Sequence, residues 1–181
     1  MNKLAIAVSL VAVFGAVNLA QAASSGTITF NGELTATTCD VVVDGQATDA
    51  TVVLPTIGTN QLTTAAQTAG RTGFVMALNN CAGTLTTAST FFEAGTSVDM
   101  VTGRLKNLSG TATNVSLQLR DASSASQAVI MAGNINQTVN TTYVDIASGS
   151  ANLPYAVEYY ANGATTAGTV VSNVVYSIQY K

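Results

Sequence analysis

The most regular feature of this chain is an alternation of apolar and polar side chains in short segments separated by turn residues. In the clearest segment, residues 151–161, every second residue is apolar: Leu153, Tyr155, Val157 and Tyr159. Residues 113–119 repeat the pattern with Val115, Leu117 and Leu119. Because successive side chains of an extended strand point to opposite faces, each segment predicts a strand with one buried face.

Shorter runs of the same kind predict strands along the rest of the chain, at residues 37–43, 50–54, 74–78, 84–92, 129–131, 143–146 and 170–180. Residues 56–70 have only weak helical spacing and predict a loop with at most one helical turn. Asn162 and Gly163 predict a loop that joins segments 151–161 and 170–180 as a hairpin. Strands that recur about every ten residues, with turn signals between them, predict an all-β sandwich of immunoglobulin type.

Residues 1–22 have the composition of a secretion signal rather than of a folded element. Lys3 precedes an uncharged stretch, residues 4–20, and Ala20-Gln21-Ala22 supplies a cleavage site of small residues. A membrane anchor is the alternative, but the stretch is at the lower limit for a span and no basic residues follow it. We therefore expect an exported chain that begins at Ala23.

The segment that follows contains an amphipathic strand pattern. Four residues at a spacing of two, here called the N-terminal row, share one face: Ile28, Phe30, Gly32 and Leu34. A glycine within a strand often marks close approach of another backbone. The alternative is an ordinary edge strand of the same domain, and the pattern alone leaves both interpretations open.

Composition restricts the chemistry. Charged residues make up 8% of the chain, the formal net charge is −3 and there is no histidine. These features disfavour imidazole-based catalysis, a histidine metal site and a nucleic-acid surface. The nine acidic residues are scattered, and no phosphate-binding loop is present. We therefore expect neither enzymatic activity nor a metal or other cofactor. Two cysteines, Cys39 and Cys81, in an exported chain favour a disulfide over free thiols.

Several blocks together resemble the type 1 fimbrial major-subunit family of chaperone–usher pilins. They are GTITFNGEL before Cys39, VVLPTIG (52–58), FVMALNNC (74–81), TNVSLQLRD (113–121), LPYAVEYYANGATTAG (153–168) and the final VVYSIQYK. The blocks keep the family's order over nearly the whole chain after the secretion signal. Any one of them alone would be weak.

The resemblance implies an incomplete immunoglobulin-like sandwich over residues 37–181 that lacks its final strand. Residues 23–36 would then be a donor-strand extension that fills the groove of a neighbouring subunit through the N-terminal row. It also implies a Cys39–Cys81 disulfide and a groove strand that contacts a chaperone through Tyr176, Ile178 and Tyr180. Two departures from the family pattern are the final Lys181 and a short polar tail before Ile28.

The expected function is that of a structural subunit of a chaperone–usher fimbria, polymerising by donor-strand exchange and supporting surface adhesion. Its expected partners are neighbouring subunits, a periplasmic chaperone and an outer-membrane usher, with no nucleic acid. Its expected location is a cell-surface fimbria reached through the periplasm. The alternatives are a minor adapter pilin, a carbohydrate-binding tip adhesin, which needs an additional receptor-binding domain, and an exported hydrolase, which lacks a catalytic set.

Overall fold

The computed structural model describes residues 26–34, 36 and 38–181. The predicted secretion signal, and the alternative membrane anchor with it, lie outside these residues. The chain divides into two units at Glu33 and Leu34. The described part of the first unit, residues 26–33, has no regular secondary structure. Within the described residues, no helix combines the length and the apolar composition that crossing a membrane requires.

The second unit is built almost entirely of antiparallel strands. They are β1 (Thr38–Val43), β2 (Thr68–Ala82), β3 (Thr87–Phe92), β4 (Leu105–Lys106), β5 (Val115–Asp121), β6 (Val129–Ile130), β7 (Val144–Asp145), β8 (Ala151–Ala161) and β9 (Tyr176–Tyr180). A short 3-10 helix covers Thr59–Gln61, and α1 covers Gln137–Asn140. One sheet has the order β1-β2-β8-β5-β4, with β6 also paired to β5, and the other has the order β7-β3-β9.

The core lies between the two sheets and follows the alternation in the sequence. Leu153, Tyr155 and Val157 of β8 are buried, as the pattern predicts. The Tyr155 ring meets the Phe92 ring of the other sheet edge-on, with centroids 5.2 Å apart. The Tyr155 hydroxyl accepts a hydrogen bond from the Thr90 amide at 3.0 Å. The predicted all-β sandwich is therefore confirmed, and aromatic packing between the sheets holds its centre together.

The predicted hairpin between residues 151–161 and 170–180 is wrong. β8 has the predicted bounds, but it pairs with β2 and β5, whereas β9 pairs with β3 in the other sheet. β9 also begins only at Tyr176. The predicted strand at residues 50–54 forms no ladder. Both errors have one cause: local alternation indicates an extended backbone but does not identify its partner.

The disulfide expected between Cys39 and Cys81 is present. It joins β1 to β2, which are neighbours in the larger sheet, and its Cα atoms are 4.1 Å apart. The Cys39 amide also donates a hydrogen bond of 3.0 Å to the hydroxyl of Tyr180, in β9. At this end of the sandwich, the disulfide therefore joins two strands of the larger sheet, and the hydrogen bond joins that sheet to β9 of the other sheet.

A buried carboxylate lies on the outer face of the larger sheet, where alternation predicts an exposed residue. Glu158 is only 1% exposed. It accepts hydrogen bonds from the Nε atoms of Arg71 at 2.7 Å and Arg120 at 2.6 Å, and from the Gln118 amide at 2.9 Å. Both arginines also bond Gln127, in the loop that follows β5. The cluster therefore joins three strands and a loop through one charge.

The Glu158 cluster makes stability depend on pH. Burial raises the pKa of Glu158, but hydrogen bonds from Arg120, Arg71 and Gln118 outweigh it, and the net pKa lies below the usual value. A lowered folded-state pKa contributes stability above the unfolded-state value, about 4.3, and this is lost as pH falls through the folded-state pKa. We expect the difference in unfolding free energy between wild type and Glu158→Gln to stay constant above about pH 5 and to shrink as the pH falls below about 4.3. Urea titrations on both sides of that value measure it, and a difference that stays constant below it would contradict the assignment.

Candidate functional site

An open groove runs between two extended segments of the second unit. Residues 48–59 form one wall and residues 165–176 form the other. Residues 48–54 lie opposite residues 172–176, and residues 56–59 lie opposite residues 165–171, so the walls run antiparallel. The walls do not pair with each other as strands. We call this space the groove.

Two cavities of about 430 and 560 Å³ occupy the groove. The floor of the first consists of side chains from the sandwich core: Phe74, Met76, Phe92, Leu105, Leu117, Leu119 and Val157. The second is lined by Leu62, Val115 and Tyr159 together with the walls. The groove therefore lies directly over the hydrophobic core, whose buried apolar side chains form the floor of its first cavity.

The walls also carry backbone groups without partners. In the described residues, the amides of Val52, Val53 and Leu54 donate no hydrogen bond, nor do those of Asn173 and Val174 across the groove. The hydroxyl of Ser172 is buried and has no partner. Buried polar groups are normally satisfied, so a groove with apolar floor and unpaired edges has the properties of a sheet that lacks one strand.

Tyr159 divides the groove. Its hydroxyl donates a 3.3 Å hydrogen bond to the carbonyl of Pro55, which separates the two cavities along its wall. Burial raises the pKa of Tyr159, so the hydroxyl stays protonated and remains a donor. At one end, the Tyr176 hydroxyl donates to the Thr48 carbonyl at 2.8 Å and links the two walls. A ligand that fills both cavities therefore passes the hydrogen bond between Tyr159 and Pro55.

The predicted groove strand is only partly in this site. Tyr176 lines the groove. Ile178 and Tyr180 continue along β9 and pack against the core, outside the lining of both cavities. The Tyr180 hydroxyl reaches Cys39 instead. Most of this wall, residues 165–175, is irregular backbone, whereas the sequence predicted a strand from residue 170 onward.

The apolar side chains of the predicted N-terminal row are largely exposed to solvent. Ile28 is 77% exposed, Phe30 is 88% exposed and Leu34 is wholly exposed. Gly32 lies between Phe30 and Leu34 in the sequence. Large apolar side chains presented to solvent in this way are typical of an interaction segment.

Sequence reasoning missed the opposite wall of the groove. Residues 50–54 were predicted to be a strand, but nothing indicated that they would border an open space. One signal was present: Pro55, which cannot donate to a ladder, follows directly. Such a residue argues against a central strand. The floor was missed because its residues come from five separate strands that meet only in the folded chain.

The groove offers binding rather than bond chemistry. Its floor is apolar and its walls present polar side chains and unpaired backbone amides, which suit an extended apolar segment that also makes main-chain hydrogen bonds. Across the described residues, no three Cys, Asp or Glu side chains are arranged to hold a metal ion.

Comparison with known proteins agrees with this geometry. Residues 54–181 match the family model described as type-1 fimbrial protein, A. The major fimbrial subunit SMF-1 of Stenotrophomonas maltophilia (strain K279a) is 42% identical, over 93% of this chain and 99% of that protein. The F17 fimbrial protein of Escherichia coli is 34% identical, over 88% and 89%.

A solved structure shares the fold. The P pilus rod subunit PapA superposes with a TM-score of 0.60 at 14% sequence identity, over 79% of this chain and 99% of that one. At that identity the likeness concerns the fold alone. The relatives matched in sequence are fimbrial proteins, and the family model covers most of the second unit. The chain therefore belongs to the type-1 fimbrial protein family and is a structural subunit of fimbriae.

Proposed function

We propose that this subunit polymerises by donor-strand exchange, with residues 23–36 of one copy filling the groove of the next. The observation that carries the proposal is the groove itself, whose apolar floor and unpaired wall amides match what an added strand supplies. Main-chain hydrogen bonds would give affinity, and alternate side chains would fill the cavities.

The N-terminal row fits the division of the groove. Tyr159 bonds Pro55, which lies between the wall residues of the two cavities. The row has a residue without a side chain, Gly32, between the large side chains of Phe30 and Leu34. A strand placed with Gly32 beside Tyr159 puts an apolar side chain into the space on either side.

Such a contact is heterologous, because the donor segment and the groove are different surfaces of the same chain. A head-to-tail contact that does not close builds a filament. Each subunit uses its N-terminal row once and its groove once, so a linear fibre satisfies every copy except those at its ends.

An open groove needs protection before assembly, since exposed strand edges over an apolar floor promote aggregation. A periplasmic chaperone would occupy the groove and contact β9 through Tyr176, Ile178 and Tyr180. An outer-membrane usher would then exchange the chaperone for the next subunit. The mature fibre would lie on the cell surface and support adhesion, with no enzymatic activity in this subunit.

A peptide covering residues 23–38 tests the exchange directly. We expect it to release the chaperone from a purified chaperone–subunit complex and leave a peptide-bound subunit of higher stability. A ligand present at about 100 times its Kd adds about 2.7 kcal/mol to the free energy of unfolding. Size-exclusion chromatography measures release, and urea unfolding measures the stability.

The matched control is the same peptide with Phe30→Asp, which would place an unpaired carboxylate over an apolar floor. We expect it to release no chaperone. If both peptides acted equally, or if neither released chaperone while the complex stayed intact, residues 23–36 would not be the donor segment.

A further inference from the structure

A second, polar cleft borders the groove and shares Ala112 and Val115 with the lining of its second cavity. It has a volume of about 340 Å³ and is open to solvent at the end of β4 and β5. The residues that matter to its chemistry are Asp99, Arg104, Lys106, Asn114, Ser116 and Asn162. Nothing in the polymerisation proposed above uses these side chains.

Two cations in this cleft, Arg104 and Lys106, form no ion pair within 4.0 Å with the described residues, although the charge of Lys106 helps to lower the pKa of Asp99. Among the described residues, the ion pairs within 4.0 Å involve only Arg71 and Arg120, both with Glu158. Arg104 uses Nε to donate to Gln118 Oε1 at 3.3 Å, and its two terminal nitrogens have no hydrogen-bond acceptor. The Lys106 ammonium has none either. These groups can bind an anion without breaking a contact.

Arg104 is also held in place. Its guanidinium carbon lies 3.5 Å from the centre of the Tyr160 ring, a cation–π contact that fixes the plane of the fork. The bond to Gln118, which is buried and also bonds Glu158, fixes its direction. A preorganised guanidinium suits bidentate recognition of a carboxylate, because little side-chain entropy remains to be lost.

The carboxylate of Asp99, the acidic residue of the cleft, already accepts hydrogen bonds from its neighbours. Asp99 accepts hydrogen bonds from the Val101 amide at 2.9 Å and the Thr102 hydroxyl at 3.0 Å. These bonds lower the pKa of Asp99, so it is ionised at neutral pH. Two cations against one engaged carboxylate leave a net positive site on a chain whose formal net charge is −3.

Neutral groups in the cleft complete the pattern. Asn162 Oδ1 accepts from the Ser116 hydroxyl at 3.2 Å, which leaves its amide nitrogen as a free donor. Asn114 Nδ2 donates to the Ala164 carbonyl at 2.9 Å, which leaves its amide oxygen as a free acceptor. A free donor and a free acceptor in the lining of one cleft suit a ligand with hydroxyl groups, which both donate and accept.

We propose that this cleft binds an acidic saccharide, with Arg104 and Lys106 holding its carboxylate and the side-chain amides of Asn114 and Asn162 holding its hydroxyl groups. The site is shallow, and a single copy binds weakly. Repetition in every subunit of a fibre converts weak single sites into strong attachment to a surface that displays many such sugars. That gain depends on polymerisation, whereas binding by one chain does not.

NMR titration of the 15N-labelled full chain tests the single site. The probes are methyl β-glucuronide, the neutral methyl β-glucoside and acetate. We expect the glucuronide to bind with a Kd of about 1 mM and at least about tenfold more tightly than either other probe, with shifts at residues 104–106, 114 and 162. Equal binding of glucoside would overturn the role of the carboxylate. Equal binding of acetate would overturn the saccharide and leave a bare carboxylate site.

Three variants locate the site. Arg104→Gln and Lys106→Gln should each weaken glucuronide binding about tenfold. Lys181→Gln removes the same charge outside the cleft, where the ammonium bonds the Thr138 carbonyl, and should change it less than about twofold. An equal loss in all three would assign the effect to net charge and reject the cleft.

A fourth variant distinguishes loss of binding from loss of folding. Arg104→Lys keeps the charge and loses the forked donors, so a folded Arg104→Lys chain should bind with an intermediate Kd. Unchanged binding in that variant and in Lys106→Gln would also reject the proposal. Because every measurement uses single chains, failure here is separate from failure of donor-strand exchange.

Discussion

Glu158→Ala is expected to lower the free energy of unfolding by about 2–3 kcal/mol, because it leaves the partly buried Arg120 and the more exposed Arg71 without their counter-charge. The Glu158 side chain is almost completely buried and bonds three side chains from two neighbouring strands. Removing it also frees the loop held by Arg71 and Arg120 through Gln127. Urea-induced unfolding of the full chain at neutral pH measures the loss.

The matched control is Asp40→Ala in the same sheet. Asp40 is exposed and makes one side-chain hydrogen bond, from Asn80 at 2.8 Å. Exposed polar pairs contribute about 0–1 kcal/mol, so this variant should stay within that range. A Glu158→Ala chain that unfolds within 1 kcal/mol of wild type would mean that solvent replaces the carboxylate easily.

Substituting Gly32 with tryptophan is expected to abolish fibre assembly while the subunit still folds and binds its chaperone. Gly32 lies outside the strands and the groove, so the groove-bearing domain keeps its sequence. In a neighbouring copy aligned as proposed, the new ring would be placed beside Tyr159 and its hydrogen bond to Pro55. Overpacking of this kind costs about 1–3 kcal/mol or more, which weakens association about tenfold to a hundredfold at every junction.

Assembly in the presence of the usher, followed by electron microscopy and sedimentation, measures the effect. Glu33→Gln is the matched control, because it changes the adjacent residue on the opposite face of the N-terminal row. That variant should assemble normally. Normal fibres from Gly32→Trp would remove Gly32 from the junction, and loss of chaperone binding would indicate a folding defect.

Local alternation predicted the buried residues correctly wherever a strand has one face in solvent and one in the core. Leu153, Tyr155 and Val157 lie in the core for this reason, and β8 has its predicted bounds. Alternation failed for Glu158, which is buried on the outer face by arginines from neighbouring strands and a distant loop. No local pattern contains that information.

The groove could be predicted only through family resemblance. The N-terminal row was recognisable in the sequence as an amphipathic strand pattern, but its exposure was not. The two walls were visible only as ordinary extended segments, because an unpaired edge and a paired edge have the same composition. The absence of a strand is a property of the assembled sheet, and only the fold reveals that residues 48–59 and 165–176 remain apart.

Pro55 gives the groove a fixed reference point. It has no amide hydrogen, and its carbonyl already accepts the Tyr159 hydroxyl. The ladder that a donor strand would form with this wall would therefore lack one hydrogen bond, beside the Tyr159 hydroxyl. A strand shifted by two residues would keep its apolar face inward yet move its glycine away from that position. Backbone and side chains thus select the same alignment, which would give every junction of a fibre the same spacing.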